Sequence, residues 1–113
     1  MGQINENVVL TMFKQGAEII TDMMDAESKQ SKELELMQYV RTAIIYIERE
    51  GIDLVDTVDD QMLVSMYALW LYDKRKTTGS KYTSYYIQNM PRMLRYNLNN
   101  RLFYQKVHEG ENT

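Results

Sequence analysis

Apolar residues recur along this chain at intervals of three and four rather than two, in four blocks parted by polar stretches. Each block predicts an amphipathic helix. In residues 5–25, Val9, Met12, Phe13, Gly16, Ile20, Met23 and Met24 share one side, while Glu6, Lys14, Glu18, Asp22 and Asp25 fall elsewhere. Gly16 inside that run costs roughly 1 kcal/mol against Ala, so either a helix packs close there or the segment bends. After a polar connection at 26–31, residues 32–50 carry a second stripe of Leu36, Val40, Ala43, Ile44 and Ile47, widened by Met37, Tyr39 and Tyr46. Gly51 suits the left-handed residue just past a helix end. Residues 52–58 alternate only briefly and form a connector, because one short extended segment without a partner makes no sheet.

The block at 57–76 is the richest. Met62, Leu63, Met66, Tyr67, Leu69, Trp70 and Asp73 trace one broad face. Thr57 with Asp60 three residues on resembles a capping box, and Lys74, Arg75 and Lys76 complement the negative pole of the helix. Ser65 and Ala68 are its small residues, where a neighbouring helix could approach closely. The pattern then breaks at 79–89 (GSKYTSYYIQN), a predicted mobile loop holding Lys81, Tyr82, Tyr85 and Tyr86. Pro91 suits the first position of a last helix over 90–106, with Met90, Leu94, Leu98 and Leu102 down one side and Arg92, Arg95 and Arg101 around it. Residues 107–113 are expected to be a polar tail. The expected fold is all-α: one domain of about four helices centred on Trp70, with Ile44, Ile47, Met66, Trp70, Leu94 and Leu98 in its core. Met12, Met23, Met62 and Met93, at helical spacings, are also expected in the core.

Composition narrows the functional classes. The 113 residues suffice for one modest core but not for a deep, water-excluded cleft as well. Cysteine is absent, which removes disulfides, thiolate zinc sites and a thiol nucleophile together. With no twenty-residue apolar run and neither a basic nor an apolar stretch at the N-terminus, the chain reads as soluble and cytosolic, with no membrane partner.

The net charge of −3 hides a polarity. Residues 1–73 hold five Lys or Arg and fourteen Asp or Glu, a balance of −9; residues 74–108 hold eight basic residues and no acidic one, a balance of +8. Such polarity orients one copy against the next or presents a basic surface to phosphates. Two solvated faces that partly neutralise each other are an equally good reading.

Chemistry is hard to find. There is no Gly-rich phosphate loop, and the one histidine, His108, falls in the expected tail. Glu18, Asp22 and Asp25 share a face but without a nearby His. Asp53, Asp56, Asp59 and Asp60 lack the spacing of a calcium loop. Capping and solubility explain these carboxylates, so the chain is expected to be no enzyme and to carry no cofactor and no metal. The triplet Lys74, Arg75 and Lys76 invites a nucleic-acid reading, yet a helix C-terminus alone favours cations. The tyrosines of 79–89 suit a protein interface better than base stacking.

The order of elements carries a resemblance. A helix ending YIEREGID (46–53), an aromatic helix ending ALWLYDKR (68–75), a polar loop, and MPRMLRYNLNNRLF (90–103) together resemble the head-tail connector family of tailed bacteriophages and prophages, over roughly residues 30–106. Its most specific pieces are Tyr72 with Arg75 and the Met90, Pro91, Leu94 opening. The resemblance implies a helical bundle that assembles in the host cytoplasm as a ring beneath the portal, typically of twelve copies, and remains at the head-tail interface of the virion. Such a ring extends the DNA channel and docks a tail or stopper protein, while DNA passes without sequence-specific binding. The family's contacts would map to Lys81, Tyr82, Tyr85, Tyr86, Arg92, Arg95, Arg101 and Lys106 for neighbours or portal, and Lys74, Arg75 and Lys76 would be candidate contacts to phosphate. The residues agree on one point: opposite charges at the two ends suit a head-to-tail interface of the kind that closes rings. The alternative is a small nucleic-acid-binding regulator using the basic C-terminal third; a hydrolase or nuclease with an acidic metal site is more remote.

Overall fold

Asn5 and Asp25 open the first two helices in the same way. The Asn5 carboxamide oxygen accepts from the amides of Asn7 and Val8, and the Asp25 carboxylate from that of Ser28 at 2.7 Å, satisfying donors that a helix start leaves unpaired. In the computed structural model, residues 3–75 and 90–111 are described. They form α1 (Glu6–Gly16), α2 (Ala26–Arg49), α3 (Val58–Arg75) and α4 (Arg92–Glu111), with no strand among them. The expected all-α bundle of four helices is therefore the fold. The loop expected at 79–89 lies outside the described residues.

Three boundaries differ from the sequence expectation, each for a local reason. The first helix stops at Gly16 rather than running to residue 25. Glu18 takes φ +58°, its amide donates to Gln15 O at 3.2 Å, and the Ile19 amide donates to Lys14 O at 2.9 Å. That pair of bonds is a Schellman turn, closed here without glycine. Ile20 (71% exposed) and Met23 (91%) accordingly stand in solvent instead of in the core. Next, α2 begins at Ala26, so the expected connection at 26–31 is its first turn and a half, nucleated by the Asp25 cap. Finally, α4 continues through Glu111 where a tail was expected. Gly51 has φ +98° directly after α2, the left-handed residue anticipated there.

α3 packs against each of the other three helices. Its inward residues are Leu63, Val64, Tyr67, Ala68 and Tyr72, which meet Val9 and Phe13 of α1, Leu36, Val40, Ala43 and Ile47 of α2, and Leu94 and Leu98 of α4 in one core. Phe13, Tyr39 and Tyr72 stack edge to face with centroids 5.5–6.4 Å apart and so tie α1, α2 and α3 together. The centre is thus displaced from Trp70. Trp70, Met66 and Ile44 are only partly buried, and Met62 and Met93 are exposed. The cause is which face the neighbours reach: they cover the side of α3 that carries Val64 and Ala68, both fully buried, while Trp70 lies beside Tyr67 at 5.5 Å with Lys74 over its ring at 5.2 Å.

Candidate interaction surface

One edge of α4 is bound to its own chain. Arg101 donates from Nε to Asp60 Oδ1 at 2.7 Å and from Nη2 to Asp60 Oδ2 at 3.1 Å and to Asp53 O at 2.7 Å. Asp60 also accepts the Val55 amide at 2.9 Å, and its own amide donates to Thr57 Oγ1 at 3.3 Å. The expected capping box is therefore half made: the hydroxyl caps α3, but the carboxylate turns to the connector and to α4. One turn on, Gln105 donates from Nε2 to Gly51 O at 2.8 Å and accepts the Asp53 amide at 2.7 Å. Nearly two turns back, Arg95 forms a forked pair with Glu50, which holds the guanidinium pKa above its usual range chiefly through that hydrogen bond. Residues 50–60 are thereby clamped along the inner flank of α4.

The opposite face of α4 is exposed among the described residues. Met93 (64% exposed), Tyr96 (63%), Phe103 (69%), Tyr104 (60%) and Val107 (43%) run down it, with exposed Asn100 between. Met93, Tyr96, Asn100, Phe103 and Val107 follow one another at three, four, three and four residues, so a single straight stripe results. Beside it, Tyr104 stacks on His108 with centroids 4.0 Å apart. The apolar surface continues into a groove of about 590 Å³ between α3 and α4, lined by Val55, Met62, Leu63, Met66, Asn97 and Tyr104, with Arg101 and Asp60 at its edge. Monomeric proteins rarely keep so many large apolar side chains contiguous and wet.

The residues singled out from sequence divide into four groups. Arg92 and Lys106 are exposed on the flank of the α4 stripe. Arg95 and Arg101 are turned back onto Glu50 and Asp60, which corrects their placement as outward contacts: each guanidinium found a carboxylate of its own subunit first. Lys74 covers the Trp70 ring, and Arg75 is the last residue of α3. Lys76, Lys81, Tyr82, Tyr85 and Tyr86 lie outside the described residues. Among the carboxylates once considered for a cation, Asp25 caps α2 and Asp22 pairs with Lys29 at 3.6 Å. No group of three or more His, Cys, Asp or Glu suited to a metal ion occurs among the described residues. No helix among them is long and apolar enough to cross a membrane.

Compared with known proteins, the chain matches no family model, no curated protein and no solved structure.

What sequence reading missed is the outward stripe of α4. The signal was present, because 90–107 carries two apolar stripes, Leu94, Leu98 and Leu102 on one side and Met93, Tyr96, Phe103 and Val107 on the other. A helix with two apolar faces packs on its own core with one and has the second left over.

Proposed function

We propose that this protein is a non-enzymatic structural adaptor that works by assembling with copies of itself and with a larger particle, in the manner of the head-tail connectors it resembles. The observation that carries the reading is the outward face of α4, a continuous aromatic and aliphatic surface on a helix whose other side is pinned by Arg95, Arg101 and Gln105. A rigid helix offering exposed Tyr and Phe at its centre and Arg92 and Lys106 at its rim has the makeup of a protein interface. In the connector reading, the copies form a ring on a portal, extend its DNA channel and dock the next tail or stopper component. Assembly belongs in that reading to the host cytoplasm and the mature position to the virion. The nucleic-acid alternative draws less support from the same geometry, since Arg101 is enclosed with Asp60 and Arg95 is already paired with Glu50.

The test is to mix the purified protein with portal rings encoded beside it and image the mixture by negative-stain microscopy. Added density below the portal is expected. Bare portals at saturating protein, together with a salt-sensitive mobility shift on duplex DNA, would replace this reading with the nucleic-acid one.

A further inference from the structure

We infer that the outward stripe of α4 is where two copies of this chain meet, their fourth helices side by side, parallel and in register about Asn100. The inference rests on the adaptor reading and names its first partner, a second copy; a two-fold pair is closed in itself, so the contacts that join pairs into a ring would use other faces.

Three observations select that occupant. The intervals of three, four, three and four through Met93, Tyr96, Asn100, Phe103 and Val107 are those of the seam positions of a two-stranded coiled coil, where each residue packs against the same stripe on a partner helix. A surface of that period is complementary to itself. Asn100, the polar residue at the middle of the stripe, then meets its counterpart across the axis, where a paired carboxamide fixes register. Area agrees. At 150–250 Å² per aromatic side chain, three aromatics exposed at 60–69% with Met93 and Val107 give about 500–700 Å² per copy if fully covered, so a pair buries up to roughly 1,000–1,400 Å², which reaches the lower end of specific interfaces.

Charge sets the direction. Arg92 and Lys106 stand two heptads apart on the same flank of the stripe. An antiparallel pair centred on Asn100 would bring Arg92 of one copy against Lys106 of the other. A parallel pair instead sets each against the opposite flank, Arg92 toward the partner's Asn97 and Lys106 toward its last turn, where the free carbonyls of a helix end favour a cation. The inner side of each α4, bound through Leu94, Leu98 and Arg101, then faces away from the axis, so the two bodies do not collide.

Sedimentation of the intact chain from low micromolar to millimolar concentration tests the contact. A monomer–dimer equilibrium is expected. Tyr96→Glu and Phe103→Glu, both at positions well exposed in the monomer, should each weaken it by at least about 30-fold without lowering the melting temperature at dilutions where the wild type is monomeric. Asn100→Val should tighten it, so the proposal stays testable even if a charged variant folds poorly. Because the chain has no cysteine, Val107→Cys introduces a single thiol. In the parallel pair two such thiols lie within disulfide reach and mild oxidation should link the copies, whereas an antiparallel pair would set residue 107 against residue 93. A chain that stays monomeric at every concentration overturns the proposal. So does a dimer indifferent to Tyr96→Glu and Phe103→Glu, which would leave the adaptor reading intact through another face, and so does a stripe-dependent dimer that Val107→Cys fails to link.

Discussion

Arg101 and Asp60 lie forty-one positions apart in sequence and meet at 2.7 Å, with the Asp60 side chain only 2% exposed and that of Arg101 17%. Through this pair the last helix is fastened to the start of the helix at the centre of the bundle, and the connector before α3 is held through Val55 and Asp53.

Removing one partner should therefore strand the other. Arg101→Leu leaves a buried carboxylate without its cation and is expected to cost about 3–5 kcal/mol in urea unfolding. The double variant Arg101→Leu with Asp60→Asn should cost less than the sum of the two single changes, because no buried charge is left over. Additive effects, each below about 1 kcal/mol, would show that the pair does not hold α4 in place.

Trp70 and Leu98 should rank opposite to what their sizes suggest. Leu98 is fully buried, so Leu98→Ala is expected to cost about 3 kcal/mol. Trp70 is only partly buried, and its Nε1 is enclosed without a hydrogen-bond partner among the described residues. Trp70→Phe removes that unpaired donor along with some contact, and the two effects offset to within about 1 kcal/mol. Chemical denaturation of both variants checks the order. A large loss for Trp70→Phe with little for Leu98→Ala would put the core elsewhere.

Two backbone sites should respond in opposite senses. Gly51 sits at φ +98°, and a Cβ there would be 3.7 Å from Leu102 Cδ1, so Gly51→Ala is strained by its backbone rather than by crowding and should cost about 1–2 kcal/mol. Glu18 already occupies φ +58° with a side chain. Glu18→Gly relieves that strain and should raise stability by up to about 1 kcal/mol, read as a higher melting temperature.

Acid should weaken the link between α1 and α2. The Lys14 ammonium, 2.9 Å from Glu33 Oε1, holds the Glu33 carboxyl below its ordinary pKa of 4.5, chiefly through that hydrogen bond. A carboxylate with a depressed folded pKa adds stability that is complete above its unfolded pKa and is lost as the pH falls through the folded one. Wild type should therefore melt above Glu33→Gln at neutral pH, with the gap narrowing as the pH is taken below 4.5. A gap that widens in acid would mean that Glu33 is stabilised by something other than its charge.

The sequence by itself determined that the chain is helical and roughly where its helices lie. Periodicity at three to four residues, the Thr57 hydroxyl and Gly51 act within one or two turns, so they can be read without knowing what packs where. It also carried the opposed charges of its two parts. Tertiary structure decided the rest. Apolar periodicity ran on to residue 25, but Glu18 turned the chain out of α1 and left Ile20 and Met23 in water. Val64 and Ala68 outcompeted Met62 and Trp70 for the centre, because burial depends on which face the neighbouring helices reach and not on the size of the side chain. Arg95 and Arg101 look no different from Arg92 in the sequence, yet two of the three found Glu50 and Asp60 and one did not. Of the two apolar stripes on α4, the one bearing Leu94 and Leu98 is covered among the described residues, and the stripe from Met93 to Val107 stays exposed, because which face is buried depends on where the rest of the bundle lies.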